Sequence, residues 1–203
     1  MRLRVREMSI RSLDIFGALI GLFVSAIPVF IIGFMVKKDG GPVFFKQERV
    51  GKNGTSFVMW KIRSMIVEAE EIRKELIDQS DIEGMFKMKE DPRVTKIGKF
   101  IRRHSLDELP QFWNVLKGEM SLVGPRPALW EEYEEYSEKD KARLAVKPGI
   151  TGLWQVSGRS DLNFDDMILL DLKYIDERSI WTNFLILIKT VLLIFPSNKN
   201  GAY

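Results

Sequence analysis

The sequence predicts an α+β fold that is mostly helical, from three observations made along the chain. A long uncharged segment lies near the N-terminus, two strand-like runs flank an Asn-Gly pair, and several short helical patterns follow. We therefore predict an N-terminal re-entrant membrane helix, a small β-hairpin, several short helices and a C-terminal interfacial helix of amphipathic or apolar character. Residues 1–38 form the membrane helix with its basic flanks, and residues 39–203 form a cytoplasmic, membrane-associated domain.

The composition excludes several classes of site. Lys and Arg total 31 against 28 Asp and Glu, and a net charge of +3 does not suggest a general nucleic-acid binder. The chain has no cysteine and one histidine, which excludes thiol catalysis, disulfides and Cys/His zinc sites. Any metal must then be a hard cation held by carboxylates and phosphates, which favours Mg²⁺.

The N-terminal segment Ile15–Val36 contains 22 residues without a charge. A helix of that length reaches about 33 Å, enough to cross the core of a bilayer. A cleaved signal peptide is the competing interpretation, because basic residues precede the apolar run. The run is long for such a signal, no small-x-small cleavage site follows it, and Lys37 and Lys38 come directly after it. The sequence therefore predicts a membrane segment.

The charges on both sides of this segment favour the same side of the membrane. Four arginines precede it and two lysines follow it, and such residues prefer the cytoplasm. Pro28 frees the carbonyl of Val24 and bends a helix, and the Ser25 hydroxyl can bond to freed backbone groups. A re-entrant hairpin that breaks at Ser25 to Pro28 satisfies both flanks. An ordinary kinked span is an equal alternative from these residues alone.

The patterns beyond Lys38 predict soluble elements. The runs on either side of Gly51–Gly54, in "GPVFFKQERVGKNGTSFVMWKIRSM", predict a β-hairpin. Residues 65–79 have helical spacing and charge pairs, 81–95 resemble a loop, and Thr95 is a suitable cap for a short helix over 95–103. The apolar run 179–195 is short for a span, so it is expected at the membrane surface or against the core.

The segment "SLDELPQFWNVLKGEMSLVGPRP" contains an adjacent acidic pair, Asp107 and Glu108. Ser105 and Glu108 fit a capping box, so the acids could simply serve a helix start; Pro110 allows a start at Asp107 instead. The functional alternative uses the same helix end, whose field attracts phosphate and keeps a carboxylate ionised and nucleophilic. Neighbouring helical side chains diverge, so one acid can attack phosphorus while the other holds a metal or guides a proton.

Attack by a carboxylate on a phosphate needs cations around both groups. The candidates are Lys61 and Arg63 at the end of the hairpin, Arg102 and Arg103 before the acidic pair, and Arg126 between two prolines. Arg126 is the most specific, because the prolines fix its backbone and guanidinium binds phosphate bidentately. A surface arginine in a stiff loop is the alternative for Arg126. His104 is expected to be an incidental surface residue.

Two further segments carry weaker signals. The turn-rich "KPGITGLWQVSGRSD" places Gln155 and Arg159 where they could bind a nucleotide, and a packed surface loop with a buried tryptophan is the alternative. The run "WEEYEEYSEKDKAR", residues 130–143, is interpreted as a solvated helix face.

Three blocks taken in order resemble the bacterial sugar transferase family, the monotopic phosphoglycosyl transferases. They are "GPVFFKQERVGKNGTSFVMWKIRSM", "LDELPQFWNVLKGEMSLVGPRP" and "KPGITGLWQVSGR". The resemblance extends from the membrane segment to about Phe195, and together the blocks are far more specific than any one alone. We expect only the short core module of the family, without the additional N-terminal membrane helices of larger relatives.

The resemblance implies a reaction and its site residues. Members transfer a sugar phosphate from a UDP-sugar to undecaprenyl phosphate with Mg²⁺, at the cytoplasmic face of the bacterial inner membrane, as the first membrane step of polysaccharide or glycoconjugate synthesis. By resemblance Asp107 attacks the sugar-bearing phosphate, releases UMP and carries a covalent phosphosugar, while Glu108 contacts Mg²⁺. Arg126, Arg102 and Lys61 match basic positions of the family, and the first two are expected to bind phosphate or acceptor.

The resemblance also carries one departure and leaves alternatives. Members have a re-entrant helix with a Ser-Pro break, whereas here two residues separate Ser25 from Pro28. A catalytically silent membrane module that binds a nucleotide or polyprenyl phosphate is the alternative function, and direct transfer with Asp107 as base is the alternative mechanism. Expected partners are the UDP-sugar, undecaprenyl phosphate and membrane lipids, with no nucleic acid; a homodimer is one compatible assembly.

Overall fold

A computed structural model describes residues 2–76, 88, 90–158 and 162–194 of the 203-residue chain. Within these residues the fold is mostly helical, with two small two-stranded sheets. The helices are α1 (Arg2–Lys37), α2 (Ala69–Leu76), α3 (Lys96–Arg103), α4 (Gln111–Lys117), α5 (Trp130–Glu134), α6 (Glu138–Lys141), α7 (Phe164–Glu177) and α8 (Ile180–Ile194), and the strands are β1 (Phe44–Val50), β2 (Ser56–Ile62), β3 (Ser121–Val123) and β4 (Gly149–Thr151).

Helix α1 has the length and composition to cross a membrane, and among the described helices of at least 18 residues it is the one that does. Its helical hydrogen bonding continues through Pro28, so the structure describes one helix at the predicted break. Ser25 is buried, and its hydroxyl donates to the carbonyl of Leu22 at 3.3 Å instead of the predicted Val24 carbonyl. The re-entrant topology itself stays a prediction.

One face of α1 packs on the rest of the protein along much of its length. Its backbone comes so close at Gly17 and Gly21 that a β-carbon would lie 2.5 Å from Leu122 and 2.6 Å from Phe112. Asp14 is buried and accepts hydrogen bonds from the Ser121 hydroxyl at 2.8 Å and the Leu122 amide at 2.9 Å. The opposite face exposes a row of large apolar side chains: Phe16, Leu19, Ile20, Phe23, Val24, Ile27, Phe30, Ile31 and Phe34.

The predicted hairpin is confirmed. Strands β1 and β2 are antiparallel, with Phe44 opposite Ile62 and Val50 opposite Ser56. The turn requires left-handed backbone at two successive residues, Asn53 at φ 56° and Gly54 at φ 77°, which explains the Asn-Gly pair. The hairpin therefore projects Lys61 and Arg63 from the end of β2.

The short helices agree with the sequence where the structure describes them. Helix α3 begins after Thr95, whose hydroxyl accepts a hydrogen bond from the Gly98 amide at 2.9 Å, as predicted. Helix α2 covers part of the predicted segment 65–79, and most of the predicted loop 81–95 lies outside the described residues.

The core joins α1, α4, α7 and α8 to the parallel pair β3–β4. Tyr174 on α7 is buried at its centre, and its hydroxyl donates to the Val123 carbonyl or to Asn183 Oδ1, both at 2.9 Å. Asn114 on α4 is fully buried; its side-chain amide donates to the Val58 carbonyl and its Oδ1 accepts from the Trp60 amide. These bonds fix α4 against β2, beside the acidic pair.

Helix α8 packs one face against the core, as one of the two expectations for the C-terminal apolar run stated, and its position at the membrane surface stays a prediction. Asn183 and Ile186 are buried against the core, whereas the outer face leaves Trp181 64% exposed and Leu192 66% exposed. Trp181 and Phe184 stack with ring centroids 5.7 Å apart on that outer face. Together α1 and α8 present two apolar surfaces that the described part of the chain does not cover.

Candidate active site

A cleft of about 610 Å³ opens between the hairpin, the turn after α3 and the start of β4. Its lining includes Asp107, Glu108, Lys61, Arg102 and Arg126. The structure therefore brings together both acids and four of the predicted cationic residues, Lys61, Arg63, Arg102 and Arg126, from the hairpin and from segments about 40 to 60 positions later.

The two acids lie on a single 3₁₀ turn, Leu106–Glu108, and the predicted capping box is wrong. Ser105 adopts left-handed backbone at φ 53°, and its side chain makes no cap hydrogen bond. The reason is the chain reversal after α3, in which the Ser105 amide bonds back to the Arg102 carbonyl at 3.0 Å. The next α-helix begins at Gln111, after Pro110, so the acids precede that helix.

Lys61 joins the two acids. Its Nζ lies 3.2 Å from Glu108 Oε1 and 3.8 Å from Asp107 Oδ2. The side chain of Asp107 is 12% exposed and that of Glu108 is 32% exposed. One acid is thus held at the base of the cleft, whereas the other reaches further into solvent.

Burial raises the pKa of Asp107 to about 6, opposed by the charge of Lys61 and reinforced by that of Glu108. Arg102 on α3 also opposes the rise. The field of a helix end, which the sequence analysis invoked to keep this acid ionised, is not the main influence here, because the acid lies on a three-residue 3₁₀ turn and desolvation dominates. At neutral pH Asp107 is still mainly ionised, and it is desolvated, which suits a nucleophile or a base.

Arg126 forms a bidentate ion pair with Glu132 on α5. Its Nη1 lies 3.0 Å from Glu132 Oε2, and Glu132 Oε2 also accepts from the Leu129 amide at 2.9 Å. Glu132 belongs to the charge run predicted to be a solvated face, yet it is buried, so that prediction is wrong for this residue. The charge of Arg126 and the Leu129 amide hold the pKa of Glu132 below its usual value against the effect of burial.

Arg49 is a buried cleft residue that sequence reasoning missed. Its guanidinium donates to the Pro127 carbonyl at 3.0 Å and to Gln47 Oε1 at 2.6 Å. Burial and the nearby charge of Arg126 lower the pKa of Arg49 to about 9. Glu132 therefore balances only part of the charge of two arginines, and the cleft keeps a positive wall. The signal in the sequence was the position of Arg49 on the hairpin strand, two residues before the turn begins at Gly51.

Arg63 borders the cleft but is used by the protein itself. Its guanidinium donates to the carbonyls of Pro42, Met65 and Val36 at 2.6, 3.2 and 3.2 Å, and it is paired with Asp39. These contacts use all five of its N–H groups. The predicted contact between Arg63 and substrate stays a prediction, and Arg63 has no N–H group left over for it. In the structure, Arg63 holds the end of α1 in place.

Of the remaining residues named from the sequence, Gln155 lies at the cleft, His104 does not line it, and Arg159 is not among the described residues. Gln155 lines the cleft, and its amide donates to the Ile150 carbonyl at 3.2 Å. Trp154 beside it is buried, as the packed-loop alternative expected, and it also lines the cleft. Arg159 lies outside the described residues. His104 Nδ1 contacts the Phe100 carbonyl at 2.9 Å, and His104 is absent from the described lining of the cleft.

The acidic pair at the cleft is compatible with a bound Mg²⁺. No group of three or more Asp, Glu, His or Cys side chains converges among the described residues. Mg²⁺ commonly takes one or two carboxylates and completes its shell with water and substrate phosphates, so three protein carboxylates are not required. Glu108 and Asp107, adjacent and open to the cleft, fit that donor set.

The chain is similar to proteins of one known family. The family model described as bacterial sugar transferase matches residues 5–197. The galactosyl transferase CpsE of Streptococcus agalactiae is 53% identical over 186 residues, and the undecaprenyl-phosphate galactose phosphotransferase of Salmonella typhimurium is 42% identical over 198 residues. These alignments cover 91% and 95% of this chain and 41% of each relative, so the chain spans about two fifths of their length.

A third relative has nearly the length of this chain. The exopolysaccharide production protein ExoY of Rhizobium meliloti is 37% identical over 203 residues, covering 97% of this chain and 88% of its own. The family match spans helix α1 from residue 5 onward, the acidic pair and Arg126. The chain belongs to the bacterial sugar transferase family.

Proposed function

We propose that the chain transfers a sugar phosphate from a UDP-sugar to undecaprenyl phosphate, through a covalent aspartyl phosphosugar, and releases UMP. The observation that carries this proposal is the pair Asp107 and Glu108 at the base of a cation-lined cleft. One relative is named as an undecaprenyl-phosphate galactose phosphotransferase and another as an undecaprenyl-phosphate glucose phosphotransferase, which supports this class of donor and acceptor.

Asp107 is the better nucleophile of the two acids. It is the more buried, and its raised pKa of about 6 leaves a poorly solvated carboxylate at neutral pH. In the first step an Asp107 carboxylate oxygen bonds to the sugar-bearing phosphorus, the phosphoanhydride bond breaks, and UMP leaves with the bonding electrons. In the second step an oxygen of undecaprenyl phosphate attacks the same phosphorus and releases the carboxylate, which gives an undecaprenyl diphosphate sugar.

The cations around the cleft allow these anions to approach one another. Lys61 shields Asp107 from Glu108, and Arg102 adds a second positive charge on the side of α3. Arg126, held by Glu132, is positioned to contact a phosphate with the guanidinium edge that the ion pair leaves open. Glu108, assisted by Asp107, would hold Mg²⁺ together with the donor diphosphate. When bound, the ion neutralises charge that develops on the leaving phosphate.

Product analysis tests the proposal. Purified protein, Mg²⁺ and a panel of UDP-sugars are mixed with undecaprenyl phosphate, and UMP is measured. Without acceptor, mass spectrometry should find one sugar phosphate on the peptide containing Asp107. Turnover with no adduct at any time point would support direct transfer with Asp107 as base, and absence of UMP with every sugar would support the binding module.

We also propose that α1 is re-entrant, with both ends at the cytoplasmic face of the bacterial inner membrane. The support is that both ends touch the same globular part. Arg11 donates to the carbonyls of Val115 and Leu116 at 2.6 and 2.7 Å, and Arg63 donates to the carbonyl of Val36 near the other end. An ordinary span would carry one of these ends to the far side of the bilayer.

Cysteine labelling tests this topology, because the chain has no native cysteine. We expect Leu3→Cys to resist an impermeant thiol reagent in intact cells and to react after lysis. Adding Pro28→Leu, which restores a backbone hydrogen bond and extends the apolar surface, should expose a fraction of the molecules to the reagent. Full labelling of Leu3→Cys alone would establish a spanning helix and leave the chemistry proposed for Asp107 untouched.

A further inference from the structure

A second, smaller pocket lies across β3 from the catalytic cleft. Successive side chains of a strand point to opposite faces, and β3 follows this rule: Leu122 lines the catalytic cleft, whereas Ser121 and Val123 line the second pocket. The pocket has a volume of about 170 Å³, below the range of sites for drug-sized ligands. It can therefore accept a small group, and it is a separate site from the cleft.

The second pocket has an excess of positive charge. Four cationic side chains line it, Arg11, Lys52, Lys147 and Arg178, against the two carboxylates Glu7 and Asp14. Both carboxylates are engaged: Glu7 pairs with Arg178 at 3.0 Å, and Asp14 accepts hydrogen bonds from β3. The carboxylates therefore leave part of the positive charge uncompensated.

Two of the cationic groups retain unused donors. No hydrogen bond or ion pair joins Lys147 Nζ to another described residue, although the residue is about half buried. A β-carbon on Gly118 would lie 3.3 Å from Lys147 Nζ and 3.5 Å from Arg11 Nη2, so these two cations face the same point. Arg178 Nε is buried without an acceptor among the described residues. An unpaired cation beside a second cation is unfavourable unless an anion joins them.

The protonation of Lys147 supports this interpretation. Burial lowers its pKa, and the charge of Arg11 lowers it further. Lys52 also faces Lys147 and lowers its pKa, whereas Asp14 and Glu7 oppose the effect. The ammonium would regain its usual affinity for a proton if an anion bound between these groups.

The position of the pocket indicates where such an anion would come from. Asp14 is followed directly by the uncharged segment Ile15–Val36, so the pocket lies beside the point where α1 enters the apolar phase. Arg178 precedes Trp181 by three residues, and Trp181 is exposed at the start of α8, as tryptophans are at the membrane interface. The ion pair Glu7–Arg178 links these two elements. The start of the apolar segment of α1 and the exposed Trp181 on α8 both place the pocket at the level of lipid headgroups.

We propose that the second pocket binds the headgroup phosphate of an anionic glycerophospholipid through Lys147, Arg11, Lys52 and Arg178. This inference rests on the membrane placement of α1 and α8 and not on the chemistry at Asp107. The bound phosphate joins the two membrane elements to β3, whose other face forms the wall of the catalytic cleft.

Thermal unfolding of the full chain in a neutral detergent tests the site without any assay of activity. Short-chain phosphatidylglycerol should raise Tm in a saturable way, by about 5 °C at a hundredfold excess over Kd, because it binds only the folded chain. Phosphatidylcholine, which carries no net charge, should not. Lys147→Gln should need at least tenfold more phosphatidylglycerol for the same shift, whereas the matched control Lys139→Gln, an exposed lysine on α6, should behave as the parent.

Three results of these measurements would overturn the proposal. An equal shift with inorganic phosphate at the same concentration would assign the pocket to a soluble phosphate and overturn the lipid. An equal response of Lys147→Gln and the parent to phosphatidylglycerol would remove the pocket as the site. Without added lipid, Lys147→Gln should unfold at the same temperature as the parent or higher, since it removes repulsion from Arg11. A lower Tm would mean that the ammonium already has a protein partner, and the proposal would fail.

Discussion

Arg63 and Arg126 border the same cleft, and they differ in how the protein uses their N–H groups. Arg63 directs all of its donors to three carbonyls and Asp39, which ties β2 to the end of α1. Among the described residues, the side chain of Arg126 makes its hydrogen bonds to Glu132, and it remains 23% exposed. The first arginine is saturated by its surroundings, whereas the second is positioned but keeps donors for another anion.

This difference shows why cleft position alone does not identify a binding residue. Both arginines follow a hydrophobic strand, and either could be drawn toward a phosphate. What separates them is the number of protein acceptors nearby. Apart from Met65, the acceptors of Arg63 lie 21 to 27 positions away in the sequence, whereas the acceptor of Arg126 lies 6 positions away. The two acids also differ in how closely a protein group holds them, because Lys61 Nζ lies nearer to Glu108 than to Asp107.

The largest expected effect is at Asp107. Asp107→Asn keeps the volume of the side chain and removes the nucleophile, so we expect turnover to fall by about 10⁴-fold or more and the adduct to disappear.

Because the pKa of Asp107 is raised to about 6, the folded state binds the proton of this carboxyl group more tightly than the unfolded state does. The stability linked to Asp107 is therefore greatest below pH 4 and falls as pH rises toward 6.

Stability measurements separate this loss of chemistry from misfolding. At pH 8 the Asp107→Asn protein should unfold at a denaturant concentration no lower than the parent, because the cost of an ionised buried carboxylate is gone. Asp176→Asn, at an exposed position on α7, is the matched control and should match the parent in turnover. An Asp107→Asn protein that is folded and retains parental turnover would exclude Asp107 as nucleophile.

The second largest effect is expected at Arg126. Arg126→Ala should lower kcat/KM by about 10²-fold, because it removes a phosphate contact and leaves Glu132 buried without its cation. Arg126→Lys should recover part of the activity, since an ammonium restores the charge without the fork geometry. Steady-state kinetics on the three proteins is the measurement. Identical kcat/KM values for Arg126→Ala and the parent would remove Arg126 from the site.

Arg63 should respond in the opposite way, with a loss of stability and retained chemistry. Arg63→Lys leaves several buried carbonyls without a donor, which we expect to lower the free energy of unfolding by about 2–3 kcal/mol. Turnover per folded molecule should change less than threefold. Chemical denaturation and active-site titration of the same samples provide both values. A stable Arg63→Lys protein with strongly raised KM for the donor would instead make Arg63 a substrate-binding residue.

The sequence was sufficient for the parts of the fold that depend on local patterns. The hairpin follows from the left-handed positions at Asn53 and Gly54, and the start of α3 follows from Thr95. The acidic turn could not be predicted, because Ser105 meets the rule for a cap and only the reversal after α3 prevents the hydrogen bond. The burial of Glu132 was missed for a related reason. Its spacing within a charged run is that of a solvated face, and its burial follows from the ion pair with Arg126, six positions earlier, and from the hydrogen bond of the Leu129 amide.

The smallest expected effect, and the sharpest test of how the acids are coupled, is a shift of the pH profile. A free-enzyme pKa of about 6 for Asp107 predicts that log kcat/KM rises with unit slope below pH 6 and levels above it, when donor and Mg²⁺ are held constant. Lys61 on β2 lowers this pKa, Arg102 on α3 lowers it less, and Glu108 beside it raises it. Lys61→Met removes the principal opposing charge and leaves the burial, so the inflection should move to higher pH by about 1 unit. Lys139→Met, on exposed α6, should leave the inflection unchanged. If the Lys61→Met profile has its inflection at the parental pH, or below it, the group that titrates in the profile is not Asp107. The assignment of Asp107 as the ionised nucleophile would then have to be abandoned.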